Sequence, residues 1–244
     1  MARLRPGRLI GWIAGGAVAV VVLVVAGAFI YIHFISGPAP APLSLKSAST
    51  PSATSAPSAT ATQPASNPGT LAGSWHVAAG SIVGYRVDEV LAGQNNVAVG
   101  RTGDVAGTMT VAGTKVTRAA FTVQMATIRS DESQRDAQFN GRIMDTAAYP
   151  TATLTLTDPI SLSPVPAAGV IRTYHATASL TMHGHARPVA FTLSAERTST
   201  GIAVSGSIPI LFADWDIGNP SFAGFVTTQN HGLLEFLIKF SRSR

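Results

Sequence analysis

"SLTMHGHARPVAFTL", residues 179–193, reads as strand, glycine turn, strand. Before the turn Leu180 and Met182 alternate with polar neighbours, and after it Val189, Phe191 and Leu193 alternate with Ala190 and Thr192. A period of two places every second side chain on one face, and Gly184 between two such runs predicts an antiparallel hairpin. "TMTVAGTKVTRAAFTV", residues 108–123, repeats the same design around Gly113.

The rhythm continues outward from these hairpins. "AAFTVQM" places Phe121, Val123 and Met125 on one face. "TATLTLT" sets Ala152, Leu154 and Leu156 against threonines, and "GLLEFLIKF" sets Leu234, Phe236, Ile238 and Phe240 against Glu235 and Lys239. Gly201 punctuates as a further turn. About eight strands with no long helix between them predict an all-β, antiparallel fold. A sandwich and an up-and-down barrel both satisfy the pattern. A closed barrel of about eight strands either fills its interior with side chains or holds one small ligand.

One stretch breaks the apolar texture. "SDESQRDAQFNGRIMD", residues 130–145, carries six charges in a chain that is only 12% charged. Ser130 is suited to cap a helix, and Asp131 and Glu132 then sit at the positive end of its dipole. Asp131 and Arg135 lie four apart with the acid first, the favourable order for a surface pair. Phe139 and Ile143, also four apart, share a face, although Gly141 weakens a helix running that far. These features predict one short, capped, amphipathic helix whose apolar side, with Met144, covers something. An acid–base pair drawn from Asp131, Glu132 and Asp136 is the competing reading, with no other catalytic feature beside it.

The ends of the chain speak of place. Residues 9–35 contain no Asp, Glu, Lys or Arg. About 20 apolar residues suffice for a helix to cross a bilayer, so 9–35 is expected to be an uncleaved transmembrane anchor. Arg3, Arg5 and Arg8 precede it, which predicts residues 1–8 in the cytoplasm and the remainder on the outer side of the cytoplasmic membrane. Residues 36–70 are nearly all Ser, Thr, Pro and Ala, the composition of an extended, disordered linker. The folded domain is then 71–244. It holds 13 Lys and Arg against all 12 Asp and Glu of the chain, a difference of +1, so no basic field remains to attract nucleic acid.

There is no cysteine, which removes disulfides, thiolate nucleophiles and cysteine-ligated metals. His183 and His185 flank a turn glycine with no third ligand near them in sequence, a pattern that suits a plain hairpin better than a metal site. No phosphate loop, nucleophile elbow or dinucleotide fingerprint follows residue 71.

"RDAQFNGRIMDTAAYPTATLTL", through Arg135, Asp136, Asp145, Tyr149 and Pro150, resembles the signature of the YceI-like polyisoprenoid-binding family. "SWHVAAGSIVGYRV" resembles the family's first hairpin through Trp75, Ser81, Val83, Tyr85 and Val87, and "LTMHGHARPVAFTL" a later one through Leu180, Thr181, Gly184, Pro188 and Val189. Gln138-Phe139, Ile143-Met144 and Ala178 depart from the family's usual residues. The resemblance implies a lipocalin-like, eight-stranded antiparallel barrel with a short helix and an isoprenoid chain threaded through it. The lining would then come from the apolar faces read above: Phe121, Val123, Met125, Leu154, Leu156, Leu180, Met182, Phe191, Leu193, Phe236 and Ile238. Arg135, Asp136, Phe139, Ile143 and Met144 would form a lid at one end. Trp215, between Asp214 and Asp216, would stand at the mouth.

The function this implies is non-catalytic binding of an isoprenoid quinone or polyprenyl chain near the membrane, with no metal and no cofactor beyond that lipid. A side-chain-filled barrel acting as an interaction module, or an enzyme acting on lipid or sugar, are the other classes.

Overall fold

The computed structural model of the chain describes residues 39–48, 71–91, 93–221, 224 and 226–242. The expected span over 9–35 and most of the expected linker lie outside them. Among the described residues no helix is long and apolar enough to cross a membrane.

The sheet closes on itself with antiparallel pairings throughout. β1 (Gly73–Val77) and β2 (Ile82–Leu91) are two halves of one barrel stave, because both pair with the same edge of β12 (His231–Arg242). β1 meets it from Trp75↔Arg242 to Val77↔Phe240, and β2 from Ile82↔Leu237 to Arg86↔Leu233. β3 (Gln94–Thr102) and β4 (Val105–Ala112) form the next stave, β3 against β2 and β4 against β1. The ring continues through β5 (Lys115–Gln124) and β6 (Thr151–Leu156). Past β7 (Ile160–Ser161), which pairs with β5, it runs on through β8 (Arg172–Met182), β9 (His185–Arg197) and β10 (Ile202–Leu211) back to β12. Short β11 (Val226–Thr228) pairs with Glu89–Leu91 at the end of β2. Eight staves thus make the closed barrel that the alternation left open as one of two choices.

The barrel has two unlike ends. At one, β2 finishes at Leu91, β10 at Leu211, and β12 begins. Here Met182, Ile208, Ile210, Phe212, Trp215 and Phe139 pack together. At the other, Leu71, Trp75, Met109, Val111, Ile202 and Phe240 form a second cluster. The hairpin at His183-Gly184 holds both residues at positive φ, 49° and 78°. A Cβ at Gly184 would come 2.7 Å from the Tyr149 ring, so glycine serves both the turn and the close approach.

The charged stretch does form a helix, Ser133–Gln138, but Ser130 is not its cap. Glu132 occupies that position, while the Ser130 amide and hydroxyl both donate to Asp136, each at 2.8 Å. The carboxylate reaching back from inside the helix ties down the preceding loop, a job the sequence pattern assigned to serine. The Asp131–Arg135 pair forms as expected. The helix then widens into a π-helical turn, Phe139–Ile143, which buries Phe139 and continues to buried Met144.

The linker reading needs a larger correction. Residues 39–48, inside the supposed tether, lie against the outer wall of the barrel and end in the one-turn helix Leu45–Ala48. Leu45 is 4% exposed and packs on Ala203 and Leu237. Beside it Glu235, 5% exposed, is paired with Arg86 at 2.7 Å and Arg101 at 3.3 Å. The same two guanidiniums donate to the carbonyls of Pro40 and Ala41. Proline-rich backbone has carbonyls free of any ladder, and two arginines pinned by one carboxylate are placed to use them.

Trp215, 2% exposed, donates from its indole to the Leu180 carbonyl at 3.4 Å and anchors the lid-end cluster. Trp215→Ala is expected to cost about 3–5 kcal/mol, read as a fall in unfolding midpoint by urea titration followed by circular dichroism.

Candidate functional site: an apolar tunnel with a charged lid

Inside the barrel lies a cavity of about 710 Å³ that reaches from the Ser133–Gln138 helix at one end to Ile160, Leu162 and Pro166 at the other. All eleven inward residues expected from the alternation line it: Phe121, Val123 and Met125 from β5 and the turn beyond it, Leu154 and Leu156 from β6, Leu180 and Met182 from β8, Phe191 and Leu193 from β9, Phe236 and Ile238 from β12. Several of them, including Phe121, Leu154, Phe191 and Phe236, are only half-buried although they point inward. A filled core would bury them fully.

The hollowness has a cause in the small residues among the inward positions. Ala98, Ala119, Ala152, Ala176, Ala178 and Ala195 also face the cavity. Small residues at inward positions leave the middle of the barrel without side chains to fill it.

The lid residues divide. Arg135, Phe139, Ile143 and Met144 line the lid end of the cavity, whereas Asp136 and Trp215 do not. Asp136 is spent on Ser130, and Trp215 is buried in the wall behind Leu180. Phe139 stacks on Tyr85 at 5.1 Å between ring centroids with planes 15° apart. Tyr85 has room to lie there because the residue beside it on β3 is Gly100, where a Cβ would come 2.3 Å from the ring.

Sequence reasoning missed the most consequential polar group. Glu89, 8% exposed, lines the cavity, pairs with Arg135 at 3.0 Å and accepts from the Asn96 side chain at 2.7 Å. Its phase was legible, because Val83, Tyr85, Val87, Glu89 and Leu91 alternate along β2. The flanking Arg86 and Asp88 make the strand look uniformly polar and hide that phase.

The electrostatics of this end are balanced. Burial works against the charge on Arg135, but the carboxylates of Glu89 and Asp131 more than offset it, so its pKa stands above the ordinary arginine value and it stays cationic. Burial pushes the Tyr85 phenol well above its usual pKa, with Arg135 opposing, so it stays a neutral donor and not a base. The ionisable groups lining the lid end are Glu89, Glu132, Arg135 and Arg142, two of each sign. Arg142 ties the π-helical turn across the mouth by donating to the Pro220 carbonyl at 3.0 Å.

The other candidates fall outside this cavity. Asp214 and Asp216 do not line it, and the Asp214 carbonyl accepts from Arg187. His183 turns its Nδ1 to the Trp215 carbonyl at 2.9 Å. Among the described residues no group of three or more His, Asp or Glu is placed to hold a metal ion.

The fold has solved counterparts. A polyisoprenoid-binding domain from Saccharophagus degradans, implicated in plant cell wall breakdown, superposes with a TM-score of 0.58 at 18% identity, covering 69% of this chain and 98% of that one. BcnA of Burkholderia cenocepacia superposes with a TM-score of 0.53 at 20% identity, covering 67% and 98%. Identities this low establish a shared fold. None of the curated proteins matches the chain. Residues 75–240 match the YceI-like domain family. That match takes in every barrel stave and the lid, and this chain therefore belongs to the YceI-like domain family.

Proposed function

We propose that this protein binds an isoprenoid lipid, with the tail in the barrel tunnel and the head group at the Glu89–Arg135 end. The carrying observation is the cavity itself: about 710 Å³ of continuous space, walled mainly by aliphatic and aromatic side chains, with most of its charged lining residues at its two ends. The solved polyisoprenoid-binding domain of the same fold supports the reading. So does the arithmetic of burial. Each methylene-sized unit removed from water contributes about 0.8 kcal/mol, so a tail burying on the order of twenty such units gains ~16 kcal/mol before the cost of association. That cost is roughly 4–15 kcal/mol. A polyprenyl tail suffices for binding without any polar contact.

The balance of charge at the lid favours a neutral head. A phosphate needs surplus cations, whereas Arg135 is already shared by Glu89 and Asp131. A quinone carbonyl asks only for donors, and Tyr85 and Arg135 are donors. The expected ligand is therefore an isoprenoid quinone, held non-catalytically. Residues 9–35 would anchor the protein in the cytoplasmic membrane with the barrel on the outer side, which suits a local reservoir or sensor better than a long-range carrier.

Native mass spectrometry on residues 39–244 tests this directly. One isoprenoid per chain is expected, identified after organic extraction. A bare-chain mass that neither an added isoprenoid quinone nor a polyprenol shifts would contradict the proposal and leave the interaction-module reading. Filling the far half of the tunnel with Ala119→Phe and Ala195→Phe is expected to weaken a long-tailed quinone at least tenfold and a short-tailed one far less, without lowering the melting temperature. Arg135→Ala leaves Glu89 buried without its cation and opens the lid. A loss of about 3 kcal/mol in stability, with faster lipid release in stopped-flow transfer to acceptor vesicles, is the expected result.

A further inference from the structure

The strap formed by residues 39–48 fixes which end of the barrel can face the bilayer. We infer that it holds the lid end, with the mouth of the tunnel, against the membrane surface, so that lipid passes between bilayer and tunnel without crossing water. This rests on the anchoring reading of residues 9–35.

Distances carry the inference. Arg86 grips the Pro40 carbonyl, and Pro40 lies only five positions beyond Ile35, where the apolar run ends. Fully extended, five residues reach about 17 Å. From Arg86 to the lid end of its strand at Leu91 is also five residues, about 17 Å. In the other direction Arg86 is level with Leu233, and β12 runs nine residues further to Arg242, about 30 Å. Strand tilt shortens both measures alike. A leash of this length lets the lid end reach the bilayer and holds the opposite end off it.

The strap's path agrees. It meets the wall nearer the lid end, at Arg86 and Arg101, and leaves it at Leu45, over Leu237 and Ala203, towards the end where Leu71 and β1 begin. Exposed aliphatic side chains do not decide the matter. Val90 and Leu211 lie at the lid end, but Val165, Val170 and Ile171 lie at the other. Leash length decides it.

The absence of cysteine makes the test clean. The full chain carrying either Leu211→Cys or Val170→Cys is labelled with bimane. It is then reconstituted in phosphatidylcholine–phosphatidylglycerol vesicles that contain a lipid spin-labelled at its head group. Quenching is expected to be at least threefold stronger at Leu211→Cys than at Val170→Cys. Inserting about ten Gly and Ser residues after Gly37 lengthens the leash and touches no barrel contact. Leu43→Asp with Leu45→Asp releases the strap from its own side. Each is expected to bring the two positions to similar quenching. Equal or reversed quenching in the unaltered leash, or a contrast that survives both changes, would overturn the inference while leaving lipid binding intact. A chain that does not stay with floated vesicles would overturn the anchoring reading, and the inference with it.

Discussion

Closure of the sheet, made where Trp75–Val77 of β1 meet Phe240–Arg242 of β12, obliges every inward side chain of the barrel to share one space. A closed sheet has no edge, and its backbone groups satisfy one another, so the interior has no need of water. What fills it is decided by volume alone. Large residues gather at the two ends and alanines line much of the wall between, so the same closure that protects the backbone encloses a tunnel. Lipid binding is the function such a space performs with least addition.

Charge enters the molecule only at boundaries. At the mouth, Glu89, Arg135 and Asp131 form a chain of ion pairs beneath a helix that continues into a π-helical turn, so the element that closes the tunnel is also the element that is polar. On the outer wall, Glu235 gathers Arg86 and Arg101, and the strap's carbonyls accept one further bond from each. Both groups are partly or wholly buried, where an unpaired charge would be costly, and both solve that by pairing. On the readings proposed above, one meets the ligand's head group and the other fixes where the barrel stands.

Much of this was legible in the chain. Alternation gave the inward faces of β5, β6, β8, β9 and β12, most plainly on β6 and β8, where threonines and serines hold most of the outward positions. Closure and strand number were legible only coarsely: Ala78–Ser81 and Gly103–Asp104 interrupt two staves, and no local pattern says that the pieces share a neighbour. Ser130 was misread as a cap because capping statistics do not see a carboxylate six residues later. Residues 39–48 were misread as free linker because low-complexity composition reports weak local preference and says nothing of arginines that lie 46 and 60 positions away.

The measurement that reaches furthest is a series of isoprenoid quinones differing only in tail length, titrated calorimetrically against the protein. If the tunnel takes the tail, each added isoprene unit lowers Kd at least tenfold until the tunnel is full, and the series then levels off. That is a modest share of the ~4 kcal/mol that five buried carbons can supply. An affinity that does not change with tail length, at any length tried, would contradict the account.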